Sequence, residues 1–377
     1  MPFDLPAGSR VVVAMSGGVD SSVAAALLAE AGHEVVGVTL QLYDHGAATG
    51  RKGACCAGRD IRDARAVADR LGIAHYVLDF EARFKAAVID DFVASYAEGR
   101  TPIPCVRCNE RIKFRDLLEI AHDLGAAALV TGHYARRRKG SRGPELHRAA
   151  DAVKDQSYFL FATTKDQLAF LRFPLGVMDK VGTREEARRL ELPVADKPDS
   201  QDICFVPSGH YSSVVARLRP GAMEPGEIVH LDGRVLGRHA GTAHYTVGQR
   251  RGLGVADGER LYVIGIQPER RRVLVGPKRA CFVSSIELAR VNWLADPPAA
   301  GVSMPVQVKH RYNEPAVRAH LRALDGGRAL VEPIRPQAGV APGQACVFYA
   351  GSQLLGGGWI ERTVPLGQVP ADDRLSA

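Results

Sequence analysis

Two groups of residues in this chain have the types and spacing that chemistry requires. The first is Ser16-Gly17-Gly18-Val19-Asp20-Ser21-Ser22, set between the apolar run Arg10 to Met15 and the Ala- and Leu-rich run Val23 to Leu28. Glycines let the backbone curve tightly, so successive N–H groups can face one anion, and a helix beginning there adds its own free N–H groups. That is phosphate chemistry. The string lacks the lysine of a Walker loop, which argues against γ-phosphate transfer of the usual kind. A bare Gly-Gly pair is more often a turn in which Asp20 or Ser21 caps a helix. The strand before and the helix after favour phosphate binding. Asp20 is then a candidate Mg²⁺ ligand, with a helix cap as its alternative, and no other metal residue is assigned.

The second group is thiols. Thr101-Pro102-Ile103-Pro104-Cys105-Val106-Arg107-Cys108-Asn109 is a proline-stiffened loop carrying Cys-x-x-Cys, and Asp199-Ser200-Gln201-Asp202-Ile203-Cys204-Phe205 carries another cysteine. A thiolate attacks where a thiol does not, and Cys108, beside Arg107 and near an expected helix start, has reason to favour the thiolate. Seven cysteines in 377 residues do not make a disulfide scaffold, so position decides their use. A zinc site from Cys55, Cys56, Cys105 and Cys108 is the structural alternative, weakened because adjacent Cys55-Cys56 lacks ordinary ligand spacing. Cys281 and Cys346 fall in β-like apolar runs and are expected to be packing residues.

These groups need elements to hold them. Arg10 to Met15, Val35 to Leu42, His75 to Phe80 and Ala127 to Thr131 have strand patterns; Val23 to Leu28, Ile61 to Leu71, Phe84 to Tyr96 and Arg111 to Leu124 have helical ones. The alternation predicts an α/β doubly wound parallel sheet with ligands at the carboxyl ends of its strands. After about Pro207 the texture becomes β-rich, with runs at Leu261 to Ile266, Arg272 to Val275 and Pro305 to Val308. Hairpins are expected around Asp325-Gly326-Gly327 and Gly351-Ser352-Gln353. We expect three domains: 1–207 with the nucleotide site, a small β-rich unit at 208–282, and a C-terminal β-barrel at 283–377.

The formal charge of +7 suits a polyanion, though it selects none by itself. Basic runs stand at Arg136-Arg137-Arg138-Lys139, Arg270-Arg271-Arg272 and Lys309-His310-Arg311-Tyr312; such runs are often merely solvated, but an arginine beside an aromatic can contact phosphate and stack on a base. No run has the eighteen or so apolar residues of a membrane span, and the start lacks secretory-signal character, so a cytoplasmic protein is expected with no membrane partner.

The phosphate string resembles the pyrophosphate loop of enzymes that split ATP into AMP and pyrophosphate while adenylating a carbonyl oxygen. With the cysteine segments, Thr131-Gly132-His133-Tyr134, Lys154-Asp155-Gln156-Ser157-Tyr158, Gly248-Gln249-Arg250-Arg251-Gly252-Leu253-Gly254, Pro342-Gly343-Gln344 and Gly356-Gly357-Gly358, the chain resembles the bacterial tRNA-specific 2-thiouridylases almost end to end. The resemblance implies an adenine nucleotide alpha hydrolase-like first domain and ATP-dependent 2-thiolation of the wobble uridine of tRNA. It implies ATP contacts at Ala14, Met15, Ser16, Gly17, Gly18, Val19, Asp20, Ser21, Leu40 and Gly132. It implies tRNA contacts at His133, Lys154, Asp155, Gln156, Arg311, Tyr312 and Gln344, with Ile103, Pro104 and Cys105 lining the target base.

Cys204 is implied to receive a persulfide from a sulfur donor or relay protein, and Cys108 to be the nucleophile that closes a Cys108–Cys204 disulfide. Cys105 departs from the family, many members of which carry Asp there, and Ile103 stands where they carry Asn. If that Asp is a general base, Cys105 replaces it only as a thiolate; alternatively Cys105, Cys108 and Cys204 ligate an iron–sulfur cluster. Both routes remain open at this point, as does a nitrogen-transferring pyrophosphate-loop synthetase, which would not need the cysteines. Tyr158 and Phe159 are expected in the core.

Overall fold

The structure, a computed structural model, describes residues 3–43, 56–199, 203–206, 211–299 and 301–366. The chain forms two compact units: residues 1–89, 105–207 and 352–354 make the first, and 90–104, 208–351 and 355–377 the second. The stretch 90–104, with its helix Asp90–Ala97, counts with the second unit by its contacts.

The first unit is built on parallel strands β1 (Arg10–Ala14), β2 (Glu34–Gln41), β3 (Ala74–Asp79) and β4 (Ala128–Thr131), in the order β3-β2-β1-β4, with the two-residue strand Leu171–Arg172 beyond β4. Val11, Val12 and Val13 are wholly buried, as expected when both faces of a parallel strand are covered. The helix Val19–Glu30 is Ala-rich and buried around most of its circumference, which lets it lie close to the sheet. The chain leaves β1 for β2 on one side and returns to β4 on the other. That reversal is the switch point where doubly wound sheets bind ligands, and the loops after β1 and β4 both open there.

Sequence periodicity missed two features. Phe84 to Tyr96 and Arg111 to Leu124 are not plain α-helices, because Lys85–Ile89 and Asn109–Asp116 are π-helical, the latter running from the α-turn Pro104–Cys108 into the α-helix Leu117–Asp123. The basic run at Arg136 lies in a strand, Ala135–Gly140, paired antiparallel with Gly143–Arg148. In the same unit, Gln353 and Leu354 pair with His147 and Leu146.

The second unit holds a four-stranded sheet in the order Leu261–Gln267, Arg272–Pro277, Gly226–His230, Val235–His239. It also holds a closed barrel of six strands: Phe282–Trp293, Arg328–Pro333, Val317–Leu324, Met304–Lys309, Ala345–Ala350 and the part of Gln353–Pro365 from residue 355 on, the last pairing back to the first. Val308, Leu321, Val331, Phe348 and Ile360 fill its core. The hairpin turn Asp325-Gly326-Gly327 has both glycines at positive φ, where other residues are strained.

Candidate active site

The phosphate loop is shaped by contacts that only glycine permits. Gly17 has φ +71°, and a Cβ there would meet Asp60 O at 2.1 Å, so the loop is pressed on the helix Cys56–Leu71. Gly132, just past β4, would place a Cβ 2.7 Å from Ser21 N, so the loops after β1 and β4 touch through backbone. Ser16 N donates to Ser21 Oγ (3.1 Å), and Ser22 Oγ donates to Gly18 O (2.8 Å). No side chain caps the helix at Gly18, so the cap reading of Asp20 and Ser21 is not what the structure shows, and the first helical N–H groups keep free directions. Met15 and Val19 are core side chains, and Met15 is bonded through its backbone, N to Val38 O and O from Thr39 Oγ1, each 2.8 Å. Ala14 ends β1, and Leu40, partly exposed, stands near the end of β2.

The cations absent from the loop's own sequence arrive from residues 180–197. Lys180 donates to Asp20 Oδ1 at 2.7 Å and pairs with Asp199 Oδ1 at 2.9 Å, while the Tyr134 hydroxyl donates to Asp20 Oδ1 at 2.9 Å. Lys197 donates to Gly17 O (2.9 Å) and Asp60 (2.8 Å), and to Asp63 as well. Asp199 also accepts from Lys154 and Arg184, each at 2.8 Å. Burial pushes the Asp199 carboxyl up, but hydrogen bonds from Lys154 and Lys180 outweigh it and hold the group at about 2. None of Lys180, Lys197 or Asp199 was assigned from sequence; a lysine helping a loop 160 residues earlier has no local signature.

The three candidate thiols all belong to the first unit. Cys108 is buried, whereas Cys105 and Cys204 reach solvent. Cys204 lies in the turn closed by Val206 N to Ile203 O (2.9 Å), and its neighbour Phe205 packs edge-on against Phe84 at 5.8 Å. Residues 200–202 of that segment lie outside the described residues. Although Cys105 and Cys204 reach solvent at the surface, protein packed around the sulfurs raises all three thiols, Cys204 to about 12 with further upward pressure from Cys108 and Cys105.

The expected thiolate-favouring place of Cys108 is corrected here. It ends one helical turn and leads into another, so no free helix N-terminus faces it, and the Arg107 guanidinium is paired with Glu110 at 2.8 Å. The cation that draws Cys108, Cys105 and Cys204 downward is Lys113, a residue the sequence reading did not single out.

His133 bonds Thr131 Oγ1 through Nδ1 (2.8 Å) and lies edge-on to Phe114 and Phe173; burial, then Lys113, holds it well below the usual histidine range, so it is neutral. Lys154-Asp155-Gln156 makes internal bonds. Asp155 accepts from Ala149 N and Ser157 N, and Gln156 Oε1 accepts from Tyr134 N (2.9 Å). Tyr158 is core, and Phe159 O accepts from Asn109 Nδ2.

In the second unit, Gln344 Nε2 donates to Thr101 O (3.2 Å) and Thr101 N to Pro342 O (2.8 Å), fixing the approach to Ile103 and Pro104, both buried. Arg311 Nη2 donates to Val247 O (3.1 Å) and to Gly339 O, and the Lys309 ammonium sits 5.4 Å over the Tyr312 ring. Cys281 and Cys346 are buried.

Among the described residues no group of three or more His, Cys, Asp or Glu is placed to hold a metal ion. Cys105, Cys108 and Cys204 form no such set, one being buried and two facing solvent, so the iron–sulfur alternative has no ligand cage and no step is derived through it. The side chains of Cys55 and Cys56, needed for the zinc alternative, lie outside the described residues. Asp20 is the carboxylate of the loop, its Oδ1 already accepting from Lys180 and Tyr134; Mg²⁺ is usually held by one or two carboxylates together with phosphate oxygens and water.

Comparison with known proteins fits this layout. Residues 9–208 match the family described as the tRNA methyl transferase HUP domain, 215–277 its PRC-barrel domain, and 283–360 the aminomethyltransferase β-barrel domain. The chain is thus of the class that joins a HUP-type sheet to a PRC barrel and a terminal β-barrel. It is 63% identical to the tRNA-specific 2-thiouridylase MnmA of Rhodospirillum centenum, over 95% of this chain and 93% of that one. It is 60% identical to the protein of the same name from Parvibaculum lavamentivorans, over 97% and 94%. The chain belongs to the tRNA-specific 2-thiouridylase family.

Proposed function

We propose that the protein replaces the C2 oxygen of the tRNA wobble uridine with sulfur, consuming ATP. The observation that carries this reading is one unit holding both a switch-point phosphate loop without a Walker lysine and three candidate thiols under a single lysine's charge. A nitrogen-transferring synthetase would use the first feature and leave the second unexplained.

In the first step the uridine C2 oxygen attacks the α-phosphorus of ATP, pyrophosphate leaves, and N3 loses its proton. The loop N–H groups after Gly18 would donate to phosphate oxygens, and Lys180 and Lys197, held at the loop by Asp20, Asp199, Asp60 and Asp63, are the cations bonded to it. Asp20 would hold Mg²⁺ with the phosphates, and the ion supplies further charge neutralisation there. Neutral His133 adds no positive charge beside Lys113.

In the second step a persulfide on Cys204, loaded by an external persulfide donor, attacks C2 through its outer sulfur and AMP leaves. The Cys108 thiolate then attacks Cys204 Sγ. The bond between Cys204 Sγ and the outer sulfur breaks, its electron pair stays with the outer sulfur on C2, N3 regains a proton to give 2-thiouridine, and a Cys108–Cys204 disulfide remains for a two-electron thiol reductant to reopen. The test is nucleoside mass spectrometry of tRNA incubated with the protein, ATP, Mg²⁺ and a persulfide source. We expect ATP-dependent 2-thiouridine with stoichiometric AMP; AMP without 2-thiouridine would overturn the sulfur-transfer reading.

A further inference from the structure

We propose that Lys113 is a positioning residue of sulfur transfer, whose ammonium is carried to the thiols by the π-helical stretch Asn109–Asp116 and stabilises whichever of them is anionic. The inference rests on the function proposed above and adds a residue that neither the motif nor the family resemblance supplied.

The argument begins with helix geometry. Cys108 is the last residue of an α-turn and the N-cap of the π-helix, with Lys113 five positions on. An α-helix turns about 100° per residue, so residues five apart point roughly 140° away from each other. A π-helix, bonded from i to i+5, brings positions four and five apart over one another and frequently occurs at functional sites. The wider turn therefore swings Lys113 toward the face of Cys108.

Partnering is the second observation. Every other basic side chain of this segment has an acceptor: Arg107 has Glu110, Arg111 has Ala87 O, and Arg115 has Asp116, which also holds Arg83. Lys113, partly buried, has no hydrogen bond or ion pair to any described residue. Its charge falls instead on Cys105, Cys108 and Cys204 and on the imidazole of His133. A half-buried cation that has no carboxylate among the described residues gains when a neighbour becomes an anion. Three thiols are the groups that can do so. Burial, and behind it the same Lys113 charge, keeps His133 neutral, so it adds no second cation here. The protein packed around these sulfurs opposes ionisation even where the residue reaches solvent, and Lys113 is a charge acting against it on all three.

The test compares wild type with Lys113→Met and Lys113→Gln, which remove the charge, and with Lys113→Arg, which keeps it. Peptide-resolved iodoacetamide labelling across pH reads the exposed thiols of Cys105 and Cys204, and 2-thiouridine formation reads turnover. The neutral variants should label Cys105 about tenfold more slowly near pH 8, a one-unit rise in its titration. They should also lose thiolation kcat with the acidic limb moved to higher pH, while KM for tRNA and tRNA-dependent AMP formation stay within about twofold. Lys113→Arg should restore the wild-type pH profile. If either neutral variant folds and labels and thiolates with the wild-type profile, or if Lys113→Arg behaves like them, the proposal is overturned. A wild-type protein that makes no 2-thiouridine would instead sink the function on which it rests.

Discussion

The phosphate loop and the cysteine segment share one unit but are built on opposite principles. The loop works through backbone: Gly17 and Gly132 are required because main chain lies where their Cβ atoms would be, and the side chains of Met15 and Val19 are simply core. The cysteine segment works through side chains held by an irregular helix, where burial opposes reactivity and one lysine counters it. Errors in the loop should therefore be steric and complete. Those in the thiol segment should be chemical, graded and pH-dependent.

The largest expected effect is Gly17→Val, which forces a β-branched residue to φ +71° with a contact at 2.1 Å. We expect no detectable AMP formation and a lowered melting temperature; a variant with normal AMP release would break the backbone half of the comparison. Next come Cys108→Ser and Cys204→Ser. Each should lose 2-thiouridine at least a hundredfold while tRNA-dependent AMP formation persists, because serine offers no thiolate at these pH values. Wild-type thiolation by Cys108→Ser would remove it from the chemistry.

Asp199→Asn should act more moderately on the bridge of Lys154, Lys180 and Arg184. Loss of its charge-assisted hydrogen bonds should cost about 2 kcal/mol of stability near neutral pH. Asp199 is held at about 2, below its ordinary value of 3.8, so its contribution is present above about pH 4 and fades as the pH falls toward 2. The melting curves of wild type and Asp199→Asn should converge over that window; a constant gap down to pH 2 would deny the linkage. The smallest catalytic effect is expected for Arg311→Ala. Its guanidinium already bonds Val247 O and Gly339 O, so the variant should melt earlier while the salt dependence of tRNA binding changes by less than about one counterion. A slope reduced by a full unit would make Arg311 a phosphate contact after all.

The sequence alone determined much of this protein. Unbroken valine runs, Gly-Gly after a strand, and strand–helix alternation specify a parallel sheet and its phosphate loop, because these signals depend on neighbours within a few residues. Glycine-punctuated β runs marked the barrel hairpins for the same reason. The fold decided the rest. Lys180 and Lys197 reach the loop from 160 and 180 residues away, a proximity set by how the sheet is wound. The internal partners of Asp155, Gln156 and Arg311 appear only once their surroundings are packed. No periodicity announces the π-turn, since Asn109 to Asp116 has an ordinary helical composition; only the completed fold places Lys113, and not Arg107, in charge of the thiols.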